Sequence, residues 1–194
     1  MLAGGICLLA ALGITAANRL EERHGDEAAQ RAQQILTRDV IPAASWEDNS
    51  GYGTTAVQIQ VVDIGGNEYI GVLSIPSLEL DLPVLNKCTD EMLKEAPCRY
   101  SGSFLEDSMV VAGHNYRKHF SRIKNMRQGD SVRFTDVNGT VYLYTVEELE
   151  KIQGTDIPGM EEGDWDLTLF TCTYGGQDRI AVRCIRDRRP AGTE

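Results

Sequence analysis

Cys172 closes the apolar run Thr168-Leu-Phe-Thr-Cys172, and a second β-type run opens at Arg179 after the loop Thr173-Tyr-Gly-Gly-Gln-Asp178. Strands joined by such a loop would oppose Cys172 to Arg179, and opposed residues project to one face with Cβ atoms about 5 Å apart. Arg183 has the same parity but lies roughly 13 Å further along the strand, which makes it the weaker partner. A thiolate attacking a carbonyl carbon needs a proton acceptor, a donor for the leaving group, and positive charge or N–H groups beside the developing oxyanion. Histidine supplies the first two. The chain has three: His24 in a charged N-terminal stretch, His119 in a basic turn expected to be exposed, and His114 at the end of the run Met109-Val-Val-Ala-Gly. A strand end holds a side chain more rigidly than a surface turn, so His114 is the candidate general acid and base. A cysteine on an apolar strand also serves as a small buried hydrophobe, and a strand-end histidine is commonly structural. An arginine facing that thiol has no packing role to explain it, and the two accounts stand level on residues alone.

The elements that must carry these residues are short strands. Runs of β-type composition occur at 56–62, 69–75, 80–85, 108–112, 131–135, 140–146, 167–172 and 179–185. Asn138-Gly139 between two of them suits a hairpin turn, which makes 131–135 and 140–146 antiparallel neighbours. Helical patterns are few: Thr89 opens one that Pro97 ends, and Phe120, Ile123 and Met126 mark a second brief turn. Many strands and few helices favour a mainly β domain closed as a barrel, because closure removes exposed edges.

Ahead of the strands lie three accessory stretches. Residues 1–17 carry no charged side chain and as a helix would span roughly 25 Å, so they read as an uncleaved membrane anchor or signal-like segment. Residues 18–51 read as a helical stalk, broken near Gly25, with a thin apolar stripe of Leu20, Ala28, Ala32, Ile35 and Leu36, followed by a turn-rich linker from Pro42. The folded domain is placed at 52–194.

A formal net charge of -10 excludes a continuous basic surface for nucleic acid. The five cysteines form no C-x-x-C pair and no Cys/His cluster at metal-ligand spacing. Glu161, Glu162, Asp164 and Asp166 read as a solvated loop rather than a calcium site, so no metal is assigned. Cys184 reads as a packed core thiol and Cys7 as facing lipid. Cys88 and Cys98 are left open, with free thiols favoured over a bridge. Arg186, Asp187, Arg188 and Arg189 read as a solvated tail.

TLFTC followed by Arg179-Ile-Ala-Val-Arg resembles the signature of the sortase family, and Val111-Ala-Gly-His114-Asn resembles its histidine segment. Similarity extends through Ile75-Pro76, Asp81-Leu-Pro-Val84 and residues 120–132, covering about residues 69–186. The resemblance implies an eight-stranded β-barrel with Cys172 as nucleophile, His114 as proton-transfer partner and Arg179 as oxyanion stabiliser, needing no cofactor. It implies a single-pass protein of a Gram-positive type of bacterium, anchored in the cell membrane with an extracellular catalytic domain. Its substrates would be surface proteins bearing a C-terminal sorting signal, LPxTG-like or NPxTN-like. A thioester intermediate would pass to an amine of a peptidoglycan precursor or a pilin subunit. The loop from Glu147 to Trp165, which in the family helps select the sorting motif, matches no one class. The competing readings are a hydrolytic cysteine protease and a non-catalytic anchored β-barrel that binds a surface partner.

Overall fold

Alternation of apolar side chains along the strands gives the sheet two buried faces, and that pattern decides how the chain closes. The computed structural model describes residues 2–41, 58–173 and 175–188. Nine strands follow one another: β1 Val62–Ile64, β2 Asn67–Ile75, β3 Leu80–Leu85, β4 Cys98–Ser101, β5 Met109–Ala112, β6 Ser131–Asp136, β7 Val141–Gln153, β8 Leu167–Cys172 and β9 Asp178–Arg186. Their spatial order is β1-β2-β3-β4-β5-β8-β9-β7-β6, and β2 also pairs with β6. The pairing β2–β6 closes eight strands into a barrel, with β1 hanging from β2 as a short hairpin arm. Gly71 makes the closure possible: a Cβ there would stand 2.1 Å from the Thr135 carbonyl oxygen.

Inward-pointing residues such as Leu73, Val111, Phe134, Tyr144, Leu169 and Val182 fill the barrel. The opposite face of the same strands carries a second apolar cluster, including Val110, Ala112, Phe170 and Ala181. Helices and loops cover this outer layer.

The expected strands are present, with two differences. The run placed at 56–62 forms a strand only at Val62–Ile64, residues 58–61 being irregular and residues 56–57 lying outside the described residues. Strand β4, Cys98-Arg-Tyr-Ser, went unforeseen because it is four residues long and polar on one side. The hairpin at Asn138-Gly139 joins β6 to β7, with Asp136 Oδ1 accepting from the Asn138 and Thr140 N–H groups. Helix α2, Asp90–Glu95, starts where expected: the Thr89 side chain accepts from the Met92 N–H at 3.2 Å, an N-cap worth about 1 kcal/mol. A 3-10 turn occupies Phe120–Asn125, and a short helix, α3 (Ile157–Glu161), interrupts the loop between β7 and β8.

Helix α1 spans Leu2–Ile35 without a break and ends in a π turn, Leu36–Val40. Gly25 does not interrupt it. The glycine is a contact point, since a Cβ there would lie 2.1 Å from the Lys94 carbonyl oxygen of α2. The buried stripe of α1 is Ala29, Ala32 and Leu36, whereas Leu20 and Ile35 of the expected stripe are exposed. Polar contacts continue the seam: Glu21 pairs with Lys94 at 2.7 Å, Glu22 accepts from the Arg117 N–H, and Asp26 pairs with Lys118 at 3.3 Å. Among the described residues, no helix is long and apolar enough to cross a membrane. The linker and the domain boundary near Tyr52 lie outside the described residues.

Cys88 and Cys98 are joined as a disulfide, against the expectation of free thiols. Parallel pairing of Leu85 with Cys98 brings β3 and β4 side by side, and the loop carrying α2 is thereby closed to Cα atoms 5.1 Å apart. The bridge ties down the short helix against which α1 rests.

Gly25→Val forces α1 off α2, an overpacking cost of about 1–3 kcal/mol confined to that seam. Hydrogen exchange is expected to show faster exchange of α1 amides with barrel strands still protected; unchanged α1 protection would contradict the packing described.

Candidate active site

Three neighbouring strands set the positions of the three expected residues. Strand β5 runs parallel to β8 in the register Met109↔Leu167 through Ala112↔Phe170. The Gly113 N–H continues the ladder by donating to the Phe170 carbonyl at 3.0 Å. Carrying that register two residues onward sets His114 beside Cys172. On the other side of β8, antiparallel β9 pairs Arg179 directly with Cys172. By that register His114, two residues past the end of β5, is level with Cys172 at the end of β8 and with Arg179 near the start of β9. Adjacent strands lie about 4.8 Å apart, so the row is compact.

All three have outward parity. Val110, Ala112 and Phe170, which share their faces, belong to the outer cluster, while Val111 and Leu169 face the barrel interior. Cys172 is half-buried and carries a free thiol. Cys184, the other free thiol described, is fully buried among interior residues, and burial pushes it far up; it is the packed thiol the sequence suggested.

The His114 ring stacks on Tyr116, centroids 4.5 Å apart with an interplanar angle of 20°. Burial lowers its pKa from the ordinary value. Glu21 opposes that shift, Lys94 reinforces it, and Asp90 opposes it. The neutral imidazole, the form that accepts a proton, is favoured. Two of the modulating charges form the α1–α2 ion pair, which puts the N-terminal helix at the edge of the site. Tyr116 and Glu21 were not singled out from the sequence: one lies in a loop without periodicity, the other in a segment read as a stalk.

Arg179 Nη1 donates to the Gly176 and Asp178 carbonyls at 3.0 and 3.3 Å. Those bonds fold the guanidinium over its own hairpin and hold it at the strand end. Arg183 has a different task. Only 2% of its side chain is exposed, Nε donates to Glu150 Oε1 at 2.9 Å, and Nη1 donates to the Met160 carbonyl and to Thr168 Oγ1 at 3.0 Å each. Nη2 reaches the Gly159 carbonyl. Arg183 thus pins α3 onto the outer face of β8 and β9.

His119 overturns its expected exposure: it is fully buried, with its ring 5.4 Å from the Tyr116 ring. The cause is local. Phe120, the next residue, is buried in the barrel core, and its N–H bonds back to the His114 carbonyl, drawing His119 inward. The tail also differs from expectation. Arg186 ends β9, pairs with Asp107 at 2.7 Å and lies 4.7 Å above the Tyr142 ring, and Arg188 reaches Asp107 and Asp166. Arg189 lies outside the described residues.

A barrel of this closure, with a thiol, an imidazole and a guanidinium ranged along one outer edge, has known relatives. The family model of the sortase domain matches residues 73–187, and the chain belongs to the sortase family. It is 32% identical over 111 residues to sortase A of Bacillus anthracis, and spans about half (52%) of the length of that curated relative. Among solved structures it resembles a sortase D5 transpeptidase of Clostridium perfringens (TM-score 0.56, 19% identity, 62% of this chain and 81% of the other). It also resembles sortase C of Clostridium perfringens SM101 (TM-score 0.54, 20% identity, 87% and 90%).

Burial, with the charge of His114 a second cause, holds His119 down at about 4 against an ordinary 6.5. In the window between those values the unfolded chain binds a proton that the folded chain does not. Stability is therefore lost as pH falls through the window, by about 3 kcal/mol in all. Urea unfolding across this pH range is expected to show that loss, and His119→Leu should remove it. A variant that keeps the full acid loss would contradict the burial.

Proposed function

We propose that the protein is a membrane-anchored cysteine transpeptidase acting outside the cell. Residues 1–17 would be the anchor, 18–51 the stalk and linker, and 52–194 the catalytic domain. The observation that carries this reading is the register of β5, β8 and β9, which aligns His114 with Cys172 and Cys172 with Arg179 in a chain of the sortase family. The Cys88–Cys98 disulfide fits an oxidising compartment.

In this mechanism the Cys172 thiol gives its proton to the neutral His114 imidazole as its sulfur attacks the scissile carbonyl of a sorting signal, an LPxTG-like or NPxTN-like pentapeptide near the C-terminus of a surface protein. The tetrahedral oxyanion develops beside Arg179. With Nη1 committed to loop carbonyls, Nε–H and Nη2–H are the donors left for it. His114, stacked on Tyr116, gives its proton to the leaving amine, and the C–N bond breaks to leave a thioester on Cys172. The neutral imidazole then takes a proton from the incoming amine of a peptidoglycan precursor or pilin subunit, which attacks the thioester and releases the thiol. No metal or organic cofactor takes part in this chemistry. Tyr116 acts by orienting the imidazole, and Arg183 holds α3 on the same outer face of β8 and β9.

Assays with both classes of pentapeptide and hydroxylamine as acceptor test the roles. Cys172→Ala should abolish cleavage, His114→Ala should lower kcat/KM by about 10²–10⁴, and Arg179→Ala by about 10²–10³. Product mass separates transfer from hydrolysis: a product that is the free acid even with amine in excess points to a hydrolase. Activity surviving Cys172→Ala would overturn the reading.

A further inference from the structure

Between α1 and the barrel lies a cavity of about 460 Å³ whose walls hold an unusual set of buried polar atoms. Asp26 Oδ1, Arg122 Nε and both ring nitrogens of the fully buried His119 have no hydrogen-bond partner among the described residues, and all three residues line this cavity. A buried polar group without a partner costs about 1–3 kcal/mol, so a cluster of them marks a place where partners come from outside the chain.

The lining selects the ligand. Ala29 of α1 and Pro83 of β3 add buried apolar lining, which suits a ligand larger than a solvated ion. Arg117, Lys118 and Arg122 face Asp26, Glu79 and Asp81, so fixed charges of both signs balance. Three carboxylates disfavour a phosphate-bearing ligand, and three cations disfavour a metal ion. Among the described residues the walls carry no aromatic ring besides the imidazole of His119, which leaves a sugar without the flat face it commonly stacks upon. A purely apolar guest would leave the deep donors and acceptors unsatisfied. A short peptide meets these demands: its free carboxylate and backbone amides would supply partners for the deep donors and acceptors, which leaves its free amine outside that cluster.

We propose that this cavity binds a short zwitterionic peptide. On the transpeptidase reading, that peptide is the part of the acceptor that presents the attacking amine. Two ring-to-ring steps, 4.5 Å from His114 to Tyr116 and 5.4 Å from Tyr116 to His119, separate His114 from the cavity wall. An extended tripeptide, at about 3.3 Å per residue, covers that distance. Entry here delivers the amine on the flank of His114, the group that must take its proton, and leaves the α3 side of Cys172 to the acyl donor. Helix α1, which contributes Asp26 and Ala29, is then a wall of the acceptor site as well as a stalk.

The test has two readouts on the full chain. In the first, the His119 imidazole resonances are followed by NMR during titration with triglycine, with N-acetyltriglycine amide and with inorganic phosphate. Saturable shifts with triglycine and not with the other two are expected. No shift, equal shifts with the doubly blocked peptide, or shifts with phosphate alone would overturn the site. In the second, Gln30→Trp fills the rim of the cavity from the exposed side of α1. The ratio of transfer to triglycine over transfer to hydroxylamine should fall about tenfold; an unchanged ratio would refute the acceptor role. Transfer to hydroxylamine with no triglycine shift at His119 sinks the cavity proposal alone, whereas a triglycine shift without any Cys172-dependent cleavage sinks the transpeptidase reading alone.

Discussion

The parallel pairing of β5 with β8 is the constraint on which the site depends. A parallel ladder has no turn to fix its register, and here the two strands are far apart in the chain. The register is set by which side chains each strand buries. Met109 and Val111 point into the barrel beside Leu167 and Leu169, and Val110 and Ala112 point out beside Thr168 and Phe170. A slip of one residue would invert both sets at once. The same packing that keeps the apolar faces matched therefore keeps His114 level with Cys172.

Closure of the barrel leaves the site residues outside it, and this gives the helices their importance. The outer apolar layer would be exposed without α1, α2 and α3, and each is held by a few identifiable contacts. Arg183 fastens α3, the Cys88–Cys98 bridge restrains α2, and Ala29, Ala32 and Leu36 with three polar contacts seat α1. These contacts also set the electrostatics at His114, because Glu21 and Lys94 come from α1 and α2 and oppose one another at the imidazole. Docking of the N-terminal helix and the protonation of the imidazole are coupled through that pair.

Much of this was readable from sequence because it rests on local pattern. The hairpin from Cys172 to Arg179, the Thr89 cap, the Asn138-Gly139 turn and the eight-stranded closure follow from alternation and turn chemistry. What escaped depends on contacts between distant segments. Gly25 looked like a helix break because its reason for being glycine is the Lys94 carbonyl, about seventy residues away. His119 looked exposed because its neighbours are basic, whereas its burial follows from Phe120 entering the core. The roles of Tyr116 and Arg183 rest likewise on ring stacking and on carbonyls of α3, which no spacing along the chain reveals.

The adjacency of positions 114 and 172 can be measured by covalent capture. Register neighbours on adjoining strands fall within the range of about 4.4–6.8 Å between Cα atoms that a disulfide spans. Peptide mapping of His114→Cys under mild oxidation is predicted to find a bond between position 114 and Cys172, and Tyr116→Cys under the same conditions is predicted to give none. Two freely alkylated thiols in the His114→Cys protein would contradict the register, and with it the account of the site.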